Sequence, residues 1–231
     1  MKPQEDGARV SPSGATASVE AQLKRMLLGG ELVPGEQIRQ EFMASRLGVS
    51  RVPVREALRH LAAIGMLTHI PNVGYMVAKL SSAQVEQVYL LRKVLEDPVL
   101  DSLPPATQDQ LDTVESFSKA VAEAAERHDV VELRNRNRDF HFAIFAISPL
   151  DLLVEELDKV WTWASLQSAY LFSPGSHDSL FAEHRDFVEA LQVGDNDALK
   201  TIMDRSRDRA RKQVRLLLCR SAPRDRGTSL R

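Results

Sequence analysis

Residues 48–59, Gly-Val-Ser-Arg-Val-Pro-Val-Arg-Glu-Ala-Leu-Arg, permit few local structures. Gly48 supplies the backbone freedom of a tight turn, Ser50 is suited to N-cap a helix, and Pro53 is tolerated close to a helix start because the amide it lacks would be unpaired there. From Arg51 onward, at about 100° per residue, Val54, Ala57, Leu58, Leu61 and Ile64 gather on one side. Arg51, Arg55 and Arg59 form an adjoining stripe that cannot enter the same core. An apolar stripe anchoring a helix whose arginines face outward suits the reading of DNA.

The flanking residues complete a winged helix-turn-helix. Residues 17–29 carry Val19, Leu23, Met26 and Leu27 at helical spacing and close on Gly29-Gly30, and Leu32-Val33-Pro34-Gly35 follows as a short extended turn. Ile38, Phe42, Met43 and Leu47 predict a helix over 38–47 that crosses behind the recognition helix. Gly65-Met66-Leu67 ends the third helix, and Leu67–Ile70 and Tyr75–Val77 predict a two-stranded wing. At its tip, Pro71-Asn72-Val73-Gly74, Asn and Gly suit a tight turn whose bare backbone can approach phosphate or the minor groove.

Gly30-Glu31-Leu32-Val33-Pro34-Gly35, Leu47 to Leu58, Gly65-Met66-Leu67 and Gly74, in this order across residues 16–78, resemble the DNA-binding domain of GntR-family bacterial regulators. The resemblance implies DNA contacts at Ser50, Arg51, Arg55 and the wing around Asn72 and Gly74, with Pro53 and Arg59 on the same helix. Arg51 and Arg55 are expected in the major groove, where an arginine can donate a bidentate pair to guanine, and Ser50 and the wing are expected to set register on the backbone. The pattern departs from relatives in the second helix: Gln40 stands where many have Glu, and Met43-Ala44 where many have Leu-Ala.

A chain of 231 residues with 43% hydrophobic residues, 11 Gly and 11 Pro suits two modest, mainly helical domains. The apolar stretches fall short of the ~20 residues that span a bilayer and the N-terminus lacks a signal-peptide core, so a cytoplasmic protein without a membrane partner is expected. The single cysteine, Cys219, excludes an intrachain disulfide and a Cys-ligated zinc site. Charge is unevenly spread. Residues 1–80 hold 10 Lys and Arg against 7 Asp and Glu, whereas residues 81–204 hold 10 against 23, so a phosphate backbone is attracted to the first region and repelled by the second. Residues 205–231 are basic again, 10 against 2. Residues 1–15 and 221–231 are expected to be disordered, leaving domains at 16–79 and 80–220.

Beyond Leu80 there is helical periodicity without strand alternation. Pro104-Pro105, His128-Asp129, Ser148-Pro149, Ser173-Pro174-Gly175 and Gly194-Asp195 divide it into about six helices, over 81–102, 107–127, 129–147, 149–172, 177–193 and 195–219. The expected architecture is mainly α: an N-terminal winged helix-turn-helix followed by an all-helical bundle, a fold that places ligand sites between facing helices. Arg92 sits among apolar neighbours, which makes it a snorkelling side chain, a partner of Glu96 at i+4, or a group that awaits an anion. Asn137 and His141 are one turn apart on one face, and His184 lies in another amphipathic segment.

Tyr89-x-x-Arg92-x-x-x-Glu96, then Phe140-His141, then His184 in a helix ending at Gly194-Asp195, then a long last helix resemble the FCD ligand-sensing domain of the FadR subfamily, over residues 81–215. Six helices favour the VanR-like branch. Many relatives hold a divalent metal here with one Asp and three His, and the positions in this chain are Asn137, His141, His184 and Ser206. A neutral amide and a hydroxyl compensate a dication poorly. Asp139, Asp204 and Asp208 are each two residues from a ligand position, on the wrong side of their helices. A metal-free polar pocket is therefore expected, with His141, His184 and Asn137 as the ligands of any metal that binds. Arg92, Asn137, His141, His184 and Ser206 are expected to hold a small organic acid, Arg92 by pairing with its carboxylate, with Trp161, Trp163 or Phe172 as walls.

The reading that unites these features is a ligand-responsive regulator, not an enzyme, in which the winged domain of a homodimer binds operator DNA as an inverted repeat and the bundle dimerises and senses a metabolite. Family precedent leans toward repression released by ligand. The interface is expected on the apolar faces of the 81–102 and 107–127 helices. The alternatives are a metal-dependent helical enzyme using His141 and His184, for which neither an HExxH helix nor a nucleophile elbow is present, and a non-catalytic interaction protein.

Overall fold

The computed structural model describes residues 12–167 and 177–221. The chain forms two compact units, one ending at Ala78 and one that takes in Leu28–Gly30 and the chain from Lys79.

The first unit contains α1 (Pro12–Gly29) up to Leu27, β1 (Gln37–Ile38), α2 (Gln40–Leu47), α3 (Arg51–Ala63), β2 (Leu67–Ile70) and β3 (Gly74–Val77). α1 begins inside the segment expected to lack structure, and residues 1–11 lie outside the described residues. α2 stops at Gly48, whose φ of 66° places it in the left-handed region and whose N–H returns to the carbonyls of Ala44 and Ser45. Ser50 occupies the N-cap position of α3 in extended conformation, but its hydroxyl accepts no capping hydrogen bond. α3 buries Val54, Ala57, Leu58 and Leu61 completely, and each of the larger three contributes about 1.5–3 kcal/mol by leaving water. Ile64 departs from the expected stripe: it is the C-cap and half exposed, because the helix has already ended at Ala63.

A third strand corrects the expectation for residues 38–47. Gln37 and Ile38 pair antiparallel with Met76 and Tyr75, giving the sheet order β1-β3-β2, and the helix starts only at Gln40. Ile38 is buried on the sheet. Phe42 is exposed, because this short helix turns Met43 and Ala44 to the core and Phe42 away from it. In the wing, Leu67 pairs with Val77 and Ile70 with Gly74. Asn72 (φ 64°) and Gly74 (φ 104°) supply the left-handed positions of its tip, and the side-chain amide of Gln37 donates to the Val73 carbonyl.

The second unit contains α4 (Ser82–Asp101), α5 (Gln108–Glu126), α6 (Val130–Phe145), α7 (Asp151–Gln167), α8 (His177–Val193) and α9 (Asn196–Ser221). These follow the predicted helices closely, and the predicted end of α7 at 172 lies outside the described residues, as do residues 222–231. Their starts are locally encoded. Ser81 with Gln84 and Thr107 with Gln110 form reciprocal capping boxes, and Asp129 accepts from the Glu132 N–H. α4 packs on α7 and α9, α5 on α6 and α8, and α8 on α9. Leu100, Phe140, Ile144, Phe145 and Phe187 are fully buried in the central core. Among the described residues, no helix is long and apolar enough to cross a membrane.

Candidate functional site

Two sites emerge, one in each unit. On α3 the side chains of Arg51, Arg55 and Arg59 all project into solvent. Arg51 pairs with Glu41 of α2 at 2.7 Å, and Arg55 and Arg59 each meet Glu56 at 3.2 Å. Exposed pairs of this kind are worth about 0–1 kcal/mol, so the guanidinium groups can exchange them for phosphate or base at little cost. Ser50 is exposed with its hydroxyl not used in capping, and Pro53 is half-buried. Asn72 is exposed at the wing tip beside the half-buried Gly74.

The second site is a cavity of about 100 Å³ lined by side chains of α4, α6, α7, α8 and α9. Of the residues expected to hold a ligand, Arg92, Asn137, His141 and Ser206 line this cavity. His184 is buried behind it, and its Nε2 donates to Asn137 Oδ1 at 3.0 Å. Three further arginines that the sequence reading did not select, Arg134, Arg138 and Arg209, also line it, and none of its described lining residues is a carboxylate. A signal for them existed. Arg134, Asn137, Arg138 and His141 follow the i, i+3, i+4, i+7 spacing of one helix face, and Ser206, Arg209, Ala210 and Gln213 repeat it on α9.

Carboxylates hold three of the four cavity arginines from outside it. Arg92 Nε donates to Glu96 at 2.7 Å, and its guanidinium lies 4.0 Å from the centre of the Trp161 ring. Glu96 is fully buried and also accepts from Trp161 Nε1 at 2.6 Å and from Arg207. Arg138 pairs with Asp158, and Arg209 with Glu183 at 2.6 Å. A guanidinium has five donors, so one such partner leaves capacity for a ligand. Of the expected walls, Trp161 lines the cavity and Trp163 does not: it packs against Val88, Val160 and Ala164. Phe172 lies outside the described residues.

Burial, followed by the neighbouring charges of Arg209 and Arg92, keeps the two histidines neutral. Desolvation and then Arg209 lower His184 to about 3. Desolvation, then His184, Arg92 and Arg209, push His141 well below the ordinary imidazole range. Tyr89 on the same wall is raised to about 12, chiefly by burial. The Nδ1 atoms of both histidines are buried without a hydrogen-bond partner.

The residues do not fit a divalent metal. Asn137 is tied to His184, Ser206 offers a neutral oxygen, and four guanidinium groups would repel a dication. The acids two residues away are engaged elsewhere: Asp139 with Arg136, Asp204 with Lys93 and Arg207, Asp208 with Arg211. Among the described residues, no group of three or more His, Cys, Asp or Glu is placed to hold a metal ion.

A winged helix-turn-helix with an exposed arginine stripe, followed by a helical bundle around a polar cavity, defines a DNA-binding transcriptional regulator. Residues 15–77 match the bacterial regulatory proteins of the gntR family, and residues 87–209 match the FCD domain. The Escherichia coli regulator McbR is 29% identical over 189 residues, covering 80% of this chain and 86% of its own. The E. coli repressor RspR is 27% identical over 183 residues, covering 78% and 80%. The solved structure of McbR/YncC superposes with a TM-score of 0.74 at 24% identity over 89% of this chain and 97% of that one. That of a GntR regulator from Rhodococcus sp. RHA1 gives 0.74 at 23% over 86% and 96%. This chain belongs to the GntR family of bacterial regulators and carries an FCD domain.

Proposed function

We propose that this ligand-responsive regulator is a cytoplasmic repressor of the FadR subfamily, in its VanR-like branch, whose helical domain binds a small organic acid directly, without a metal. The observation that carries this is the cavity wall: Arg92, Arg134, Arg138 and Arg209 converge on about 100 Å³ with no carboxylate among the described lining residues. Such a space favours an anion, and its volume suits a compact one, well below the ~300–1,000 Å³ of sites for drug-sized ligands. Arginine forks match carboxylates, Ser206 and Asn137 add neutral polar partners, and His141 and His184 flank the site. The likeness to RspR, a repressor, and the six-helix bundle support the finer assignment.

On the DNA side, Arg51 and Arg55 read base edges in the major groove, Arg59, Ser50 and Pro53 border them, and Asn72 and Gly74 bring the wing to the backbone. The protein acts as a homodimer on an inverted repeat, since one winged domain makes too few contacts for a useful specificity ratio. Leu90 and Val94, 63% and 60% exposed on α4, support an interface on that helix. No exposed large apolar residue among the described residues lies on α5, so α5 is not part of the proposal. Ligand releases DNA by favouring a dimer geometry whose recognition helices no longer match successive grooves.

The test is mobility shift on the promoter region of its own gene, followed by calorimetry with a panel of organic acids on metal-stripped protein and on Arg92→Ala. Binding of an acid that releases the DNA, weakened at least tenfold in the variant, is expected. Undiminished binding would remove Arg92 from the site, and zinc retained stoichiometrically through chelation would refute the metal-free reading.

A further inference from the structure

Val52 is the second residue of α3 and is 59% exposed. At about 100° per residue it points almost opposite to the arc of Val54, Ala57, Leu58 and Leu61, so it stands at the middle of the outward face. Its neighbours there are Arg55, Arg59 and Glu56, with Arg51 preceding it. One side of it borders a groove that Ala15, Ala17 and Pro53 also line, but most of its surface faces solvent. It gains less than half of its possible burial, and a β-branched residue is a poorer helix former than the long polar ones around it.

We infer that Val52 reads the C5-methyl group of a thymine adjacent to the base taken by Arg51 or Arg55. The inference rests on the proposed reading of DNA by α3. The base edges of the major groove present donors, acceptors and one apolar group, the thymine methyl, which is the single feature there that an isopropyl side chain can cover. Phosphate is excluded as its partner by chemistry. The groove that Val52 borders on its other side is edged by the carboxylates of Glu20 and Glu56, which disfavour phosphate there as well. With exposed guanidinium groups one residue before it and three after it, the residue is positioned for a guanine and a thymine at neighbouring steps. Ser or Asn at position 52 would hydrogen-bond instead and tolerate other bases, so this side chain contributes to operator choice.

The experiment selects bound sequences from a randomised duplex library with the full chain, then replaces each thymine of the selected half-site in turn by uracil, which removes only the methyl group. One thymine per half-site, next to a guanine, is expected to be sensitive, with affinity about fourfold lower on loss of its methyl. Val52→Ala, at an exposed position that leaves the core intact, is expected to weaken the unmodified duplex by a similar factor. The uracil penalty at that position then disappears, and binding to random duplex is unchanged. A uracil penalty equal in wild type and Val52→Ala, or a selected half-site with no methyl-sensitive thymine, would overturn the inference while leaving DNA reading intact. Selection of no common sequence would overturn the DNA reading itself and the inference with it.

Discussion

The two buried histidines make the helical domain sensitive to acid in a range where exposed histidines would not. His184 is fully buried, stacks 3.9 Å from Phe140 and has its affinity for protons lowered to about 3. Above pH 6.5 the imidazole is neutral in folded and unfolded chains alike, and no cost arises. As pH falls below 6.5 the unfolded chain takes up a proton that the folded chain refuses until about pH 3, so stability is lost across that window. Between pH 7 and pH 5 the loss from one such histidine is about 2 kcal/mol. His141, also lowered, adds a loss of the same sign. Both tryptophans, Trp161 and Trp163, lie in the helical domain, so denaturant unfolding followed by tryptophan fluorescence reports that domain alone. His184→Gln keeps a polar group that can reach Asn137 and removes the titration. The wild type should lose about 2 kcal/mol more than this variant between pH 7 and pH 5. Equal losses in the two proteins would show that His184 is not held neutral by the fold, and would refute the reasoning.

Arg55→Ala should weaken operator binding by about 1–3 kcal/mol and affect random duplex far less, because a bidentate pair to guanine is lost; an equal loss on both duplexes, measured by fluorescence anisotropy, would place Arg55 on phosphate instead. The double variant Leu90→Glu with Val94→Glu should be monomeric by light scattering at micromolar concentration, keep its helical content and lose cooperative operator binding; a dimer of unchanged stability would move the interface away from α4.

Residues 48–63 were legible because every determinant there is local: a glycine for a left-handed backbone, an extended Ser50, and apolar residues at the spacing of one helix face. The bundle was legible for the same reason, since Ser81, Thr107 and Asp129 cap helices whose boundaries depend on residues three positions away. β1 was missed because two residues have no readable period and their pairing partners, Tyr75 and Met76, lie 37 to 39 positions further on. Ile38 is apolar in a strand or a helix, and only the sheet distinguishes them. Phe42 and Ile64 were misplaced for a related cause, as periodicity gives an angle and not the point at which a short helix ends or tilts.

The cavity shows where local information stops. The i, i+3, i+4, i+7 spacing already set Arg134, Asn137, Arg138 and His141 on one face of α6, and the same rule set Ser206, Arg209 and Gln213 on one face of α9. An arginine-bearing face in a sequence is most simply a solvated one, and nothing within α6 distinguishes the two cases. Tertiary packing decided it by bringing α4, α7 and α9 around that face, by setting Glu96, Asp158 and Glu183 behind Arg92, Arg138 and Arg209, and by desolvating His141 and His184 until they stay neutral. Helix formation and the identity of a face depend on neighbours within a few residues, whereas whether that face meets water, a core or a cavity depends on charges and surfaces supplied by distant segments, as the Glu96–Arg207 and His184–Asn137 contacts, 111 and 47 residues apart, illustrate.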